Sequence, residues 1–324
     1  MAFVRPISQT LMEKCVNRIR VGIVGVGKIA NEQHIPVLRA SASFELVACA
    51  NSHDKVGGIA NYPNLESMLD GRPDLDAVAI CTPPQVHYET ARLALQRGKH
   101  VFLEKPPCST TTQLDALALQ ARQSNCTLFQ TWHAQRAAAV DPAQLWLKPC
   151  AVRSGRVVWK ENVRQSHPAQ DWIWQAGGFG VFDAGINAVS ILTKIVAEPI
   201  FVTAAELFFP ANCESPIAAN VTFATGMGAV IDAAFDFRHT GTSTWDIDIA
   251  TDRGALCLSA YGSTLAIDGK QITAGTAETE YQSLYRRFAD LVQRHESDVD
   301  KRPFQLVADI FLVGKRLKVN PFEL

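Results

Sequence analysis

Over the first half of the chain, short apolar runs alternate with longer amphipathic stretches. Residues 20–24 (RVGIV), 44–50 (FELVACA), 77–81 (AVAIC), 100–103 (HVFL) and 127–130 (TLFQ) have the length and continuity of buried strands. Stretches of helical length, among them 88–97 and 111–123, lie between them. This alternation predicts an α/β layer on a parallel, doubly wound sheet. After residue 151 the apolar period becomes two. Strands are expected over 156–161, 201–208, 218–224, 229–237, 244–250 and 255–259. Ile231, Ala233, Phe235 and Phe237 fall on one side and Asp232 and Asp236 on the other; Trp245, Ile247 and Ile249 repeat this against Asp246 and Asp248. A sheet with one buried and one wetter face follows, open and mainly antiparallel, in an α+β half. Helices are expected over 280–295 and 303–318, the last packing back on the first half.

Composition narrows the function classes. The 324 residues carry 31 basic and 32 acidic side chains, a formal charge of −1, so nothing in the balance draws the chain to nucleic acid or an anionic membrane. No stretch approaches the roughly 18 apolar residues of a spanning helix, and the first 20 residues lack the apolar segment of a secretory signal. Eight dispersed cysteines form no CxxC pair and no Cys/His ligand spacing, so no metal site is expected and a reducing, cytoplasmic setting fits.

The chemistry starts at Gly25-Val26-Gly27-Lys28-Ile29-Ala30, a GxGxxA between the first strand and a helix. Glycines there permit a tight turn and close approach of a pyrophosphate, and the helix start supplies unpaired N–H groups. Gly25, Gly27, Lys28 and Ile29 are therefore expected at a dinucleotide. At the end of the second strand, where a carboxylate would hold the ribose of NAD, the chain reads Asn51-Ser52-His53-Asp54-Lys55. Hydroxyl and amide groups without a strand-end carboxylate favour NADP over NAD.

The stretch CTPPQVHYETARLALQRGKHVFLEKPPCST (81–110) and the later GGFGVFDAGIN (177–187) complete a pattern. With the glycine motif, they resemble the Gfo/Idh/MocA oxidoreductase family along nearly the whole chain after residue 18. The resemblance implies a Rossmann half (19–150) joined to a substrate-binding half (151–324), with residues 1–18 as an extension. It places Thr82, Pro83, His87, Glu104 and Lys105 beside the nicotinamide cofactor, with Lys105 catalytic, and suggests a cis bond before Pro106. A lysine at the carboxyl edge of a parallel sheet also lies where such folds bind ligands, independently of the resemblance.

The third motif departs from the family's usual form, in which a histidine follows the aspartate by four residues. Here Asp183 is followed by Asn187. Both fall on one helical face, but asparagine orients a hydroxyl and takes no proton, so acid–base work passes to Asp183, Lys105 or a relayed water. Between the motifs, Glu161, His167, Trp172 and Trp174 combine polar groups with indoles, as a sugar demands. This segment looks most like the branch of the family that oxidises C1 of L-arabinose and D-galactose. That resemblance implies that Glu161, His167, Asp183 and Asn187 bind pyranose hydroxyls, and that Trp132, His133 and Trp245 line the pocket. The expectation is an aldose 1-dehydrogenase that takes a small-molecule sugar and associates, if at all, through the second sheet. A cyclitol dehydrogenase and a non-catalytic sugar sensor are the alternatives.

Overall fold

The computed structural model describes residues 18–52, 54–273, 275 and 278–323. The expected extension lies almost wholly outside them, as does His53. The first sheet contains β1 (Ile19–Val24), β2 (Phe44–Ala50), β3 (Ala60–Tyr62), β4 (Ala77–Ile80), β5 (His100–Leu103) and β6 (Leu128–Gln130) in the order β3-β2-β1-β4-β5-β6. Every neighbouring pair is parallel. The order reverses between β1 and β4, which opens a crevice at the carboxyl ends of these strands, where doubly wound sheets take their ligands. β3 escapes the sequence reading because three residues are too few to show a period.

The second sheet has nine strands: β7 (Val152–Lys160), β8 (Ile200–Pro210), β9 (Ala218–Thr225), β10 (Val230–Asp236), β11 (Thr244–Thr251), β12 (Gly254–Ser259), β13 (Thr264–Ile267), β14 (Lys270–Ile272) and β15 (Lys315–Val319). They run β14-β13-β12-β11-β7-β10-β9-β8-β15. The sheet is mixed: β7 pairs with β10, and β8 with β15, in parallel, while the other neighbours are antiparallel. The alternation read from the sequence is real, with Ile231, Ala233 and Phe235 buried. Phe235 packs on Phe182 at 5.2 Å between ring centroids, in the helix Phe182–Ile195, of which only Lys194 is not buried.

The end of the chain corrects one expectation. The last helix covers only Arg302–Val313; Gly314 turns extended (φ −69°, ψ 130°), and residues 315–319 become β15 against β8. That helix packs mainly on β8 and on Phe182–Ile195. The element that returns to the first sheet is the helix Glu280–Arg294, which sets Tyr281, Leu284, Tyr285 and Phe288 against Val21, Ile23, Phe44 and Phe102. Tyr285 stacks on Phe102 with ring centroids 4.7 Å apart, and Phe288 on Phe44 at 5.8 Å. Among the described residues no helix is long and apolar enough to cross a membrane.

Phe288 is fully buried among the rings of Phe44, Phe102 and Phe129. Phe288→Ala is expected to cost about 3–5 kcal/mol, read from urea unfolding. A loss no greater than that of Leu312→Ala, on the exposed side of the last helix, would show that the helix does not close this core.

Candidate active site

β5 ends at Leu103, and the chain then enters Glu104-Lys105-Pro106 at the crevice. The Lys105–Pro106 bond is cis. Lys105 Nζ reaches across to the helix Phe182–Ile195, donating to the Asp183 carbonyl at 3.0 Å and to Asp183 Oδ1 at 3.1 Å. On its other side Asp183 Oδ2 lies 3.0 Å from His167 Nε2. His167 Nδ1 meets Ser166 Oγ at 2.8 Å and lies 3.4 Å from Glu161 Oε1. Glu161 Oε2 in turn accepts from Trp245 Nε1 at 3.1 Å. A chain of groups thus runs from the edge of the first sheet, over the start of a helix, to the ends of β7 and β11.

Local structure explains each position. Asp183 stands in the first turn of its helix, where partial positive charge favours an anion, and it makes no N-cap bond. The preceding glycine turn lets the chain pass tightly: a Cβ on Gly178 would lie 2.0 Å from the Trp172 carbonyl oxygen. Asn187, one turn on, donates through Nδ2 to Tyr261 Oη, while its buried Oδ1 has no hydrogen-bond partner among the described residues. Asp183 and Asn187 are each 2% exposed and Glu161 4%. Tyr261 lies among rings: its centroid is 5.0 Å from Trp159, 5.4 Å from Trp245 and 5.9 Å from His133. His133 is held by Glu280 at 2.8 Å.

Several expected ligands do other work. Glu104 turns inward: Oε1 accepts from His34 Nε2 at 3.1 Å and Tyr281 Oη at 2.9 Å, and Oε2 from the Lys105 backbone N–H at 2.9 Å. It anchors Lys105 and is not offered to a cofactor. His87 is fully buried, with Nδ1 3.0 Å from the Pro106 carbonyl oxygen and Nε2 2.5 Å from that of Thr82. It braces two crevice loops. Trp174 packs on Phe237 and Phe322, and Trp132 donates to the Asp300 carbonyl, so both are core. Trp172 is partly buried against the core, and its carbonyl accepts from Gln85. Tyr261, His34 and Tyr281 are the site residues that sequence reasoning passes over. Tyr281 is visible only as part of a helix's apolar stripe, and Tyr261 sits in a turn with no pattern around it.

The crevice suits a dinucleotide. Gly25 has φ +88°, and a Cβ there would lie 2.9 Å from the Thr82 backbone nitrogen, so the turn needs glycine; in front of Gly27 the space is open for 4 Å. Thr82 Oγ1 is buried with no hydrogen-bond partner among the described residues, and Gly25, Asn51, Ser52 and Thr82 line one cleft. Asn51 braces this cleft: its Oδ1 accepts from Val26 N at 3.3 Å and its Nδ2 donates to the Asp54 carbonyl. Lys28 Nζ crosses to the Ser166 carbonyl at 3.0 Å, next to His167, and Ile29 starts the following helical turn.

Burial opposes charge throughout this cluster, and pairing overrides it. Asp183 is held well below the usual carboxylate range by Lys105 and His167. Glu161 is lowered mainly by His167, and Glu104 is held at about 2 by His34, His133 and Tyr281. His167, despite burial, is raised to about 9 by Asp183 and Glu161. The phenol of Tyr261 is pushed well above its usual value by burial, with Glu280, Glu161 and Asp183 adding to the effect. At neutral pH the cluster therefore holds an imidazolium between two carboxylates, beside a protonated phenol.

Residues 19–131 match the Gfo/Idh/MocA model, an oxidoreductase family with an NAD-binding Rossmann fold. Galactose 1-dehydrogenase of Pseudomonas fluorescens is 42% identical over 304 residues, spanning 94% of this chain and 98% of that protein. A crystal structure of D-galactose-1-dehydrogenase protein from Rhizobium etli superposes with a TM-score of 0.90 at 46% identity, covering 99% of this chain and 100% of that one. A 3-ketoreductase from Actinomadura kijaniata, solved with NADP and TDP-benzene, shares the fold at a TM-score of 0.82 and 20% identity, over 94% and 100% of the two chains.

The charge pattern sets a pH dependence. The ordinary value of His167 is 6.5 and its folded value about 9. Its pairing therefore stabilises the fold fully below pH 6.5 and is lost as pH rises through about 9. Asp183 and Glu161, lowered, contribute above the ordinary carboxylate range and lose that contribution as pH falls through their folded values. Between pH 6.5 and 9 the protein is expected to lose on the order of 3 kcal/mol from His167, and His167→Gln to flatten this limb. Urea midpoints across the range measure it; an equal alkaline loss in both proteins would rule out the linkage.

Proposed function

We propose, from the premise that the chain belongs to the Gfo/Idh/MocA oxidoreductase family, that it oxidises C1 of a galactose-type pyranose to the aldonolactone with NAD(P)+ as hydride acceptor. The observation that carries this reading is the Lys105–Asp183–His167–Glu161 chain at the mouth of the dinucleotide crevice, in a fold whose 42%-identical relative is a galactose 1-dehydrogenase. When bound, the nicotinamide supplies the acceptor for the hydride from C1. The protein's part is the proton on O1. The O1 proton passes to the Asp183 carboxylate, and the Lys105 ammonium, in direct contact with Asp183, balances the charge that develops on oxygen. Asn187 has no titratable group and orients the sugar. His167 and Glu161 hold neighbouring hydroxyls, and their closeness to Asp183 fixes the ring relative to O1.

The relatives' names favour D-galactose. L-Arabinopyranose and D-fucose share the configuration of D-galactose from C1 to C4 and differ at C5, and an apolar wall discriminates such changes by only about 1–3 kcal/mol. All three are therefore substrates in this reading. The absence of a strand-end carboxylate, with Ser52 exposed at the cleft, supports NADP as the preferred cofactor. The described cysteines are all free, in keeping with a cytoplasmic enzyme.

Absorbance of reduced nicotinamide on adding D-galactose, L-arabinose or myo-inositol, with NADP+ and NAD+ in turn, tests the reading; no reduction with any sugar rejects it, and activity on myo-inositol alone selects the cyclitol alternative. Lys105→Met is expected to lower kcat by about two orders of magnitude or more, the reach of acid–base catalysis, and near-normal turnover would remove Lys105 from the mechanism. Ser52→Asp is expected to reduce kcat/KM for NADP+ at least tenfold more than for NAD+. An unchanged ratio would place the selectivity elsewhere.

A further inference from the structure

We infer that Tyr261 is a sugar ligand and a positioning residue: its phenol orients the Asn187 amide and donates its own proton to a hydroxyl of the substrate. This rests on the sugar-oxidising reading above and adds a residue that no motif in the chain announces. Asn187 Nδ2 donates to Tyr261 Oη, which directs Oδ1 away from the tyrosine, and Oδ1 has no hydrogen-bond partner among the described residues although Asn187 is 2% exposed. A buried acceptor left unpaired is costly, and one beside the Lys105–Asp183 pair is met when a hydroxyl of the ligand donates to it. Tyr261 Oη, already accepting from Asn187, retains its own hydrogen. Among the described residues nothing accepts that hydrogen.

The turn is built to hold this tyrosine in place. Ala260 and Tyr261 both have left-handed backbone (φ 49° and 62°), followed by Gly262 at φ 82°. Two successive non-glycine residues in that region are unfavourable and persist only where the surroundings fix them. Here the ring is wedged edge-on to Trp245, tilted on Trp159 and stacked on His133. Trp245 carries the arrangement on to Glu161, whose Oε1 lies 3.4 Å from His167 Nδ1. Asn187 and Tyr261 together present one acceptor and one donor side by side. A pair of adjacent pyranose hydroxyls, one donating and one accepting, fits that pattern; an apolar or single-hydroxyl substrate does not.

The test compares the wild-type protein with Tyr261→Phe, which keeps the ring and removes the hydroxyl. Substrates are D-galactose and its 2-, 3-, 4- and 6-deoxy forms. Kinetics are measured alongside binding, followed by tryptophan fluorescence with and without NADP+. The variant should raise the sugar KM about tenfold or more and leave the NADP+ KM within about twofold. The wild-type penalty for one deoxy position, about tenfold or more, should shrink to under about threefold in the variant, while the penalties at other positions carry over. Unchanged penalties at every position, or an unchanged sugar KM, overturn the inference, because a purely structural tyrosine would weaken all sugars alike. Asn187→Ala gives an independent readout should the first variant not fold: its lost penalty must fall at the same or the adjacent ring carbon, and a distant one overturns the pairing. Sugar binding without oxidation would reject the dehydrogenase reading and leave the role of Tyr261 standing.

Discussion

A carboxylate almost sealed from water has to be compensated, and the site is arranged around meeting that demand at Asp183. A buried charge with a partner removed is strongly destabilising, whereas one paired on both sides and hydrogen-bonded is tolerated. Asp183 is paired by Lys105 from the edge of the parallel sheet and by His167 from the loop after β7, with the first turn of a helix behind it. Neither sheet alone supplies both cations. The same contacts that make the carboxylate affordable hold the two halves of the molecule in one register, so the geometry at the crevice and the packing of the halves are a single constraint.

The cation on the parallel-sheet side has its own support. Glu104 points away from the crevice into a pocket formed by His34, Tyr281 and the Lys105 backbone N–H, and His34 is bound on its other side by Tyr285 at 2.7 Å. Neighbouring residues in the strand-end turn thus face opposite ways, Glu104 into the core and Lys105 toward Asp183. The inner carboxylate fixes the backbone from which the outer ammonium reaches. Such support from behind sets a side chain's position more tightly than its own rotamer preferences would.

The parallel half is legible in the sequence because its strands are continuous apolar runs and its glycine turn has a physical reason to be where it is. Asp183 and Asn187 are legible as an i, i+4 pair, and Lys105 through the motif around it. The failures have a common cause. His87, Glu104 and Trp174 occur in the right motifs, but spacing along the chain does not tell which way a side chain turns at the end of a strand or in an irregular loop, and all three turn inward. Tyr261 and His34 fail for the opposite reason. Each is single, outside any repeat, and becomes part of the site only when segments seventy or more residues apart meet. The last strand is misread as helix because five residues after a glycine are too few to overrule the helical pattern preceding them.

The helix Glu280–Arg294 reaches back over the first sheet from beyond β14, and this bears on how the protein is made. Tyr281, Tyr285 and Phe288 fill one face of a sheet whose last strand ends at Gln130. During synthesis the ribosome must add some hundred and fifty further residues before that face can close. Until then Phe44 and Phe102 lack their stacking partners, and Glu104 lacks one of the hydrogen bonds that hold it ionised in the core. The half that begins the chain is therefore among the last parts to be finished, and the nascent protein carries an open aromatic surface through about half of its translation.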